Sequence, residues 1–169
     1  MELSGHLLRT EVFYPAFTLY NIYTPYSNPN VEGAIEHRKK FDESLKRIIC
    51  TTPDRQIICG DMNIVATDSD CWDGKHQRNQ ANFHDWERHN FEELLKLGHL
   101  IDTYRVLNPF SKEFSYFFRN NPTARPNNQG HRIDYFLASR SFEPQITKSE
   151  IIKDCTVSTN NPILLELKY

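Results

Sequence analysis

The 169-residue sequence contains no long hydrophobic run: its purely apolar stretches are only a few residues, against the roughly 20 needed to cross a bilayer, so no membrane-spanning helix is expected. No basic, apolar, small-residue leader opens the chain, which gives no sign of secretion. Repeats and low-complexity tracts are missing, and with 6 Gly and 9 Pro neither a collagen-like nor a disordered composition fits. An excess of one charge is missing too. Lys and Arg total 20 against 22 Asp and Glu, a formal net charge of -2, so a polyanion must be met by a local basic patch. Cysteine is sparse: Cys50, Cys59, Cys71 and Cys155 form no CxxC pair, which argues against structural zinc and for reduced thiols in a reducing intracellular compartment. What is present is 38% hydrophobic, 25% charged and 12% aromatic residues, enough for a core in a single domain over 1–169.

Apolar spacing predicts an α/β chain in which strands dominate. Residues 7–13 and 17–23 read as a hairpin around Tyr14-Pro15-Ala16, with Phe17, Leu19 and Tyr23 on one face and Tyr20 and Ile22 on the other. A helix is expected from about Glu32 to Cys50 on the spacing of Ala34, Ile35, Phe41, Leu45, Ile48 and Ile49. Its charge run, Glu36, Arg38, Lys39 and Lys40, reads as a solvated face. A short buried strand at 56–59 stops at Gly60, and a second helix runs from about His84 to Leu97 with Gly98 as its C′ residue. Further strands are expected at 114–118, 132–138, 146–153 and 162–169.

Two segments carry residues suited to chemistry. In Ile57-Ile58-Cys59-Gly60-Asp61-Met62-Asn63 a buried strand delivers a carboxylate and a carboxamide, two residues apart and hence on the same side, to a sheet edge. A carboxylate able to take a proton from water, beside an amide that binds oxygen without adding charge, suits hydrolysis of an anionic ester; the plainer alternative is an Asx turn closing the strand. In Gly130-His131-Arg132-Ile133-Asp134-Tyr135-Phe136-Leu137, Asp134 interrupts an interior run, where an ionised group is costly unless paired. It is read either as a salt bridge to Arg132 or as a second carboxylate near Asp61, the two able to bind Mg²⁺.

These segments, with Tyr20-Asn21-Ile22-Tyr23-Thr24-Pro25, Gly60-Asp61-Met62-Asn63-Ile64-Val65-Ala66, Glu87-Arg88 through Ile101-Asp102-Thr103-Tyr104-Arg105, and Phe114-Ser115-Tyr116-Phe117-Phe118, occur in an order and spacing that resembles the exonuclease III/apurinic-apyrimidinic endonuclease branch of the endonuclease/exonuclease/phosphatase superfamily. The resemblance reaches nearly the whole chain. It implies part of a four-layer α/β sandwich lacking the N-terminal sheet, and Mg²⁺-assisted phosphodiester hydrolysis in base-excision repair, with abasic duplex DNA as partner. Asp61 would handle the attacking water, Asn63 would hold phosphate and water in line, Tyr23 would reach a phosphate oxygen, and Asp134 would join the same network. Asp61 and Asp134 are the candidate metal ligands. Phe117 and His131 fall where the family lines the pocket for a baseless sugar, His131 standing in place of a tryptophan. Arg119, Arg125, Lys75, Arg78 and the loop residue Trp72 are the candidate nucleic-acid contacts.

Two departures from the family pattern temper this expectation. Its closing serine-aspartate-histidine-x-proline motif reads Ser158-Thr159-Asn160-Asn161-Pro162 here, so Asn160 and Asn161 are expected to replace the acid–histidine pair without its proton chemistry. The family's metal-binding glutamate lies in an N-terminal half of roughly a hundred residues that precedes the matched region, which leaves Mg²⁺ weakly held and, on this reading, a sheet face open for a protein partner or the missing half. Two functions stay open: an abasic-site endonuclease of impaired activity, and a catalytically inactive pseudonuclease that binds nucleic acid or serves as a structural subunit of a larger assembly.

Overall fold

A computed structural model of the chain describes residues 3–51, 55–74, 76–77, 80–155 and 157–169. Strands β1 (Leu7–Phe13) and β2 (Ala16–Tyr23) form the expected antiparallel hairpin, its register pairing Phe13 with Ala16 across Tyr14-Pro15. Helix α1 (Ala34–Thr51) buries Phe41, Leu45 and Ile49, four residues apart on one stripe. It carries the chain back to β3 (Gln56–Asp61), which pairs parallel with β2, as parallel neighbours require a crossover. Helix α2 (Asp85–Leu97) follows, then β4 (Leu100–Asp102), α3 (Thr103–Leu107), β5 (Tyr116–Phe117), β6 (Gly130–His131), β7 (Asp134–Ser139), β8 (Ile146–Ile151) and β9 (Ile163–Leu167). The main sheet has the order β1-β2-β3-β7-β4, with β5-β6 and β8-β9 as separate ribbons. Among the described residues no helix is long and apolar enough to cross a membrane.

The two faces of the main sheet are covered differently. Tyr20, Ile22, Ile58, Tyr135 and Leu137 face α1 and α2 and pack on Phe41, Leu45, Ile49, Phe91 and Leu94; burial of each such side chain stabilises by about 1.5–3 kcal/mol. On the opposite face, Phe17, Leu19 and Phe136 stay only partly buried, beside Ile57, Ala138 and Phe142 and against Leu165 and Leu167 of β9. That face is thus partly roofed by the chain's own β9 rather than left bare, while Leu8 at its rim is 64% exposed.

Several local expectations are corrected. The strand at 114–118 shrinks to two residues, and the one expected at 132–138 starts only at Asp134 and runs to Ser139, because Arg132 and Ile133 leave the ladder between β6 and β7. Gly98 caps α2 in the right-handed region, and the left-handed residue is its successor, His99 at φ 51°. Glycine is needed at 98 because a Cβ there would come within 2.8 Å of the Ile49 side chain. Arg38 is no part of a solvated face. It is 3% exposed, and its guanidinium donates to Asp42 Oδ1 (2.9 Å), the carbonyls of Pro25 (3.1 Å) and Asn63 (3.0 Å), and the carbonyl of Met62 (3.2 Å).

Arg132 likewise does not pair with Asp134. It is buried over the rings of Tyr135 and Tyr104 and binds Asp70 (2.6 Å) and Asp102 (2.6 Å). Asp102 also caps α3 through the amides of Tyr104 and Arg105, so one carboxylate fixes both helix and cation. Burial pushes the Asp70 carboxyl up, but the charges and hydrogen bonds of Arg132 and Arg105 outweigh it and hold the group below its ordinary value. Replacing Asp70 with Asn, at nearly constant volume, leaves buried guanidinium charge undercompensated. The expected loss is about 3 kcal/mol, read from urea unfolding of the two proteins; an unchanged midpoint would show that Asp102 alone suffices.

Candidate active site

The C-terminal end of β3 is shaped by two residues that adopt left-handed backbone. Gly60 has φ 124°, and a Cβ there would collide with the Ile22 carbonyl oxygen of the neighbouring strand, so only glycine lets β2 and β3 approach. Asn63 has φ 44°, a conformation asparagine tolerates, and its amide is pinned: its backbone N–H donates to Asp61 Oδ1 (2.8 Å) and its side-chain Nδ2 to the Thr24 carbonyl (2.7 Å). The Arg38 guanidinium ties the Pro25, Met62 and Asn63 carbonyls together behind these residues. Glu87, fully buried and bonded by Ser27 Oγ (2.6 Å), supports Arg38 from α2 at 3.5 Å.

Strand register brings the predicted residues into one row. Tyr23 of β2 is the parallel partner of Asp61, and Asp61 is the antiparallel partner of Asp134, so the three lie side by side at one end of the sheet, next to the partly roofed face. Asp134 is held by Asn160, whose Nδ2 donates to its two oxygens (3.0 and 3.3 Å), and by Ser115, whose Oγ accepts the Asp134 N–H. Burial pushes the Asp61 carboxyl up to about 7; the Asp134 charge adds to this, and the Asn63 N–H and Arg38 oppose it. Burial raises Asp134 as well, against the hydrogen bonds of Ser115 and Asn160. A carboxyl that titrates near neutrality, opposite a second one, is suited to moving a proton to or from water.

Tyr23, Asp61, Asn63 and Asn160 line a cleft of about 470 Å³, together with Tyr26, Gln77, Gln80, Ala81, Asn82, Tyr116, Phe118, His131 and Ile133, and Asp134 sits behind Asn160. Of the sequence candidates, Tyr23, Asp61, Asn63, Asp134, Asn160 and His131 are brought to this one place. Others are not. Asn161 turns away: its Nδ2 donates to the Phe114 carbonyl and its Oδ1 accepts from Arg125. Phe117 is buried with Phe114 and Ala124, and the next residue, Phe118, faces the cleft instead, its ring edge-on to His131 at 4.9 Å. Arg125 is committed to the 158–161 turn through the Ser158 carbonyl (2.7 Å), leaving Arg119 as the exposed cation of the two. Trp72 is 40% exposed but does not line the cleft. Lys75 and Arg78 lie outside the described residues. Tyr26, Phe118 and Asn82 are not among the sequence candidates; Phe118 shares strand parity with Tyr116, which also lines the cleft, whereas the family resemblance points to Phe117.

Among the described residues no group of three or more His, Cys, Asp or Glu forms a metal cage. The donor set nevertheless fits a divalent ion held largely by water: Asp61 and Asp134 face each other across one strand pair, and the Asp134 charge that raises Asp61 would be relieved by a cation between them.

A model of the Endonuclease/Exonuclease/phosphatase family matches residues 3–154. The chain is 34% identical over 164 residues to Recombination repair protein 1 of Drosophila melanogaster, an alignment covering 95% of this chain and 23% of that protein. It is 33% identical over 146 residues to an exodeoxyribonuclease of Bacillus subtilis, covering 85% and 57% of the two. In fold it superposes on an AP endonuclease from Archaeoglobus fulgidus with a TM-score of 0.88 at 18% identity, over 97% of this chain and 65% of that one. The chain thus spans well under two thirds of the length of these curated relatives.

Because the folded-state value of Asp61 lies above the ordinary one, the folded chain holds a proton that the unfolded chain has released between pH 3.8 and about 7. The contribution is present in acid and is lost as pH rises through 7. His131, pushed down to about 4 by burial, has the opposite sign over the lower part of this range, so wild-type stability alone does not isolate Asp61. Asp61→Asn does: it should raise Tm by about 2–6 °C at pH 8, with a smaller gap at pH 5. A gap independent of pH in calorimetry would show that Asp61 is not perturbed.

Proposed function

The chain belongs to the endonuclease/exonuclease/phosphatase family, and on that premise we propose that it is a phosphodiester hydrolase of the exonuclease III/apurinic-apyrimidinic endonuclease type, acting on duplex DNA with attenuated rate. The observation that supports this best is the row Tyr23–Asp61–Asp134, closed by the amides of Asn63 and Asn160. In this reading Asp61, with a carboxyl near neutrality, takes the proton of the attacking water. Asn63, pinned at the strand end, holds a phosphate oxygen in line. Tyr23 is 53% exposed and offers its hydroxyl to a second one. Asp134 orients Asn160, whose amide donates a hydrogen bond but exchanges no proton, and the loss of one acid/base group costs about 10²–10⁴ in rate. Bound Mg²⁺, held by Asp61 and Asp134, would stabilise charge on the leaving oxygen.

The Asn160–Asp134 contact also favours a second reading, in which the chain binds nucleic acid or serves as a structural subunit and does not hydrolyse it. Either way Arg119, exposed and next in sequence to Phe118 of the cleft, is the cation offered to a phosphate, and with a net charge of -2 DNA binding should be weak and salt-sensitive. The partly roofed sheet face, with Leu19 and Phe17 at its centre, is where a covering protein surface would sit. The four free cysteines fit a reducing compartment.

Cleavage of a labelled abasic-site duplex with and without Mg²⁺, by the purified chain and its Asp61→Ala and Asn160→His variants, separates the two. The hydrolase reading expects slow Mg²⁺-dependent cleavage, absent in Asp61→Ala and about tenfold or more faster in Asn160→His. Binding without cleavage in all three folded proteins would leave the second reading.

A further inference from the structure

Two buried polar atoms of cleft-lining residues lack partners among the described residues. The side-chain Oδ1 of Asn82 and the Nε2 of His131 are shielded from solvent and make no hydrogen bond among the described residues. Both residues are 6% exposed and both line the cleft that holds Asp61, Asn63 and Asn160. Buried polar groups are rarely left unsatisfied, and each costs about 1–3 kcal/mol when it is. Asn82 is held by its backbone, its carbonyl accepting from Val65 N–H at 2.7 Å, and it sits at φ 71°. His131 is fixed in β6 opposite Tyr116, with the edge of Phe118 against its ring. Neither atom has a partner among the described residues, and both residues line the same cleft, where an occupant would supply one.

The chemistry of that occupant follows from the atoms. As oriented, the Asn82 amide presents its oxygen, which accepts, so the group facing it carries an N–H or O–H, which an ionised phosphate lacks. His131 is uncharged near neutral pH, its imidazole pushed down to about 4 by burial, and so offers a neutral hydrogen bond rather than a cation for an anion. Of the other lining residues, Tyr26, Tyr116 and Phe118 offer aromatic surface, beside Gln77, Gln80, Ala81 and Ile133. A flat heterocycle with donors and acceptors on its edge meets all three conditions. Building on the nucleic-acid reading above, we propose that Asn82 and His131 form a specificity subsite that reads the edge of an intact nucleobase, so that this chain prefers a base-bearing nucleotide to a baseless sugar in the cleft.

The test is equilibrium binding by fluorescence anisotropy in EDTA, where hydrolysis plays no part, to two otherwise identical recessed duplexes, one ending in a 3′ nucleotide and one in a 3′ tetrahydrofuran residue. The expected result is tighter binding of the base-bearing end by about fivefold or more, as one or two hydrogen bonds to buried groups imply. Asn82→Gly keeps the left-handed backbone without strain and deletes the amide; His131→Phe deletes the nitrogens at similar size. Each should bring the ratio close to one. Should His131→Phe fail to fold, Asn82→Gly decides alone. Equal or tighter binding of the tetrahydrofuran end, or a ratio unchanged in Asn82→Gly, overturns the subsite while leaving the hydrolase reading intact. Binding of neither duplex overturns both.

Discussion

The strand end that carries Asp61 and Asn63 is held from behind by Arg38. Its guanidinium is the meeting point of the loop after β2, the loop after β3, and both long helices: it donates to the carbonyls of Pro25, Met62 and Asn63 while pairing with Asp42 of α1 and Glu87 of α2. Buried carbonyls in irregular backbone need partners that no strand or helix supplies, and a planar fork with five donors satisfies several at once. Lysine offers a point charge and no such fork. The same cation lies close enough to oppose the upward push on Asp61, so a single buried residue sets both the geometry and part of the electrostatics of the strand end. Glu87 shows the cost: burial raises its carboxyl, against the opposing pull of Arg38, Ser27 and His84.

How much of this was legible in the sequence depended on the range of the contact. Strand parity put Asp61 and Asn63 on one side, and hydrophobic spacing located β1, β2, α1, β3 and α2 to within two residues, because each is long enough to show its period. β4 and α3, three and five residues long, are too short to show one. Arg38 was misread because a buried cation inside a charge run has the same local signature as a solvated one; its partners are up to 25 residues away or across the helix pair. Arg132 and Asp134 alternate on a strand as a salt bridge would require, yet the chain leaves the ladder between them and sends Arg132 to Asp70 and Asp102, 62 and 30 residues away. In the 158–162 turn the sequence could not say which asparagine faces inward. The structure gives the inward position to Asn160 and uses Asn161 as a strut between Phe114 and Arg125.

The site is built against its own stability. Two carboxylates opposed at the end of a strand pair, both raised by burial, are a liability that a fold would shed if only packing mattered. The compensation lies in the neighbouring network of Arg132, Asp70, Asp102 and Arg105, where opposite charges are matched and the carboxylates are well satisfied. One network anchors β4, α3 and the segment before β7; the other remains frustrated, and the frustrated one is in the cleft. Local conflict confined to one place within an otherwise consistent fold is what separates a site from a defect.

The frustrated row also borders the partly roofed face of the sheet. One row inward from Tyr23, Asp61 and Asp134 lie Asn21, Cys59 and Phe136, and beyond them Leu19, Ile57 and Ala138, so polarity falls steadily from the site toward β9. Any surface laid on that face must match the gradient. Over Leu19 and Phe136 it gains by being apolar. Over Asp61 an apolar surface would remove more water and drive the carboxyl still higher, disabling it as a base at neutral pH, whereas donors or a cation would bring it down. What covers the sheet therefore sets the proton affinity of Asp61, and the state of this carboxyl reports on the chemistry of its neighbour across the face.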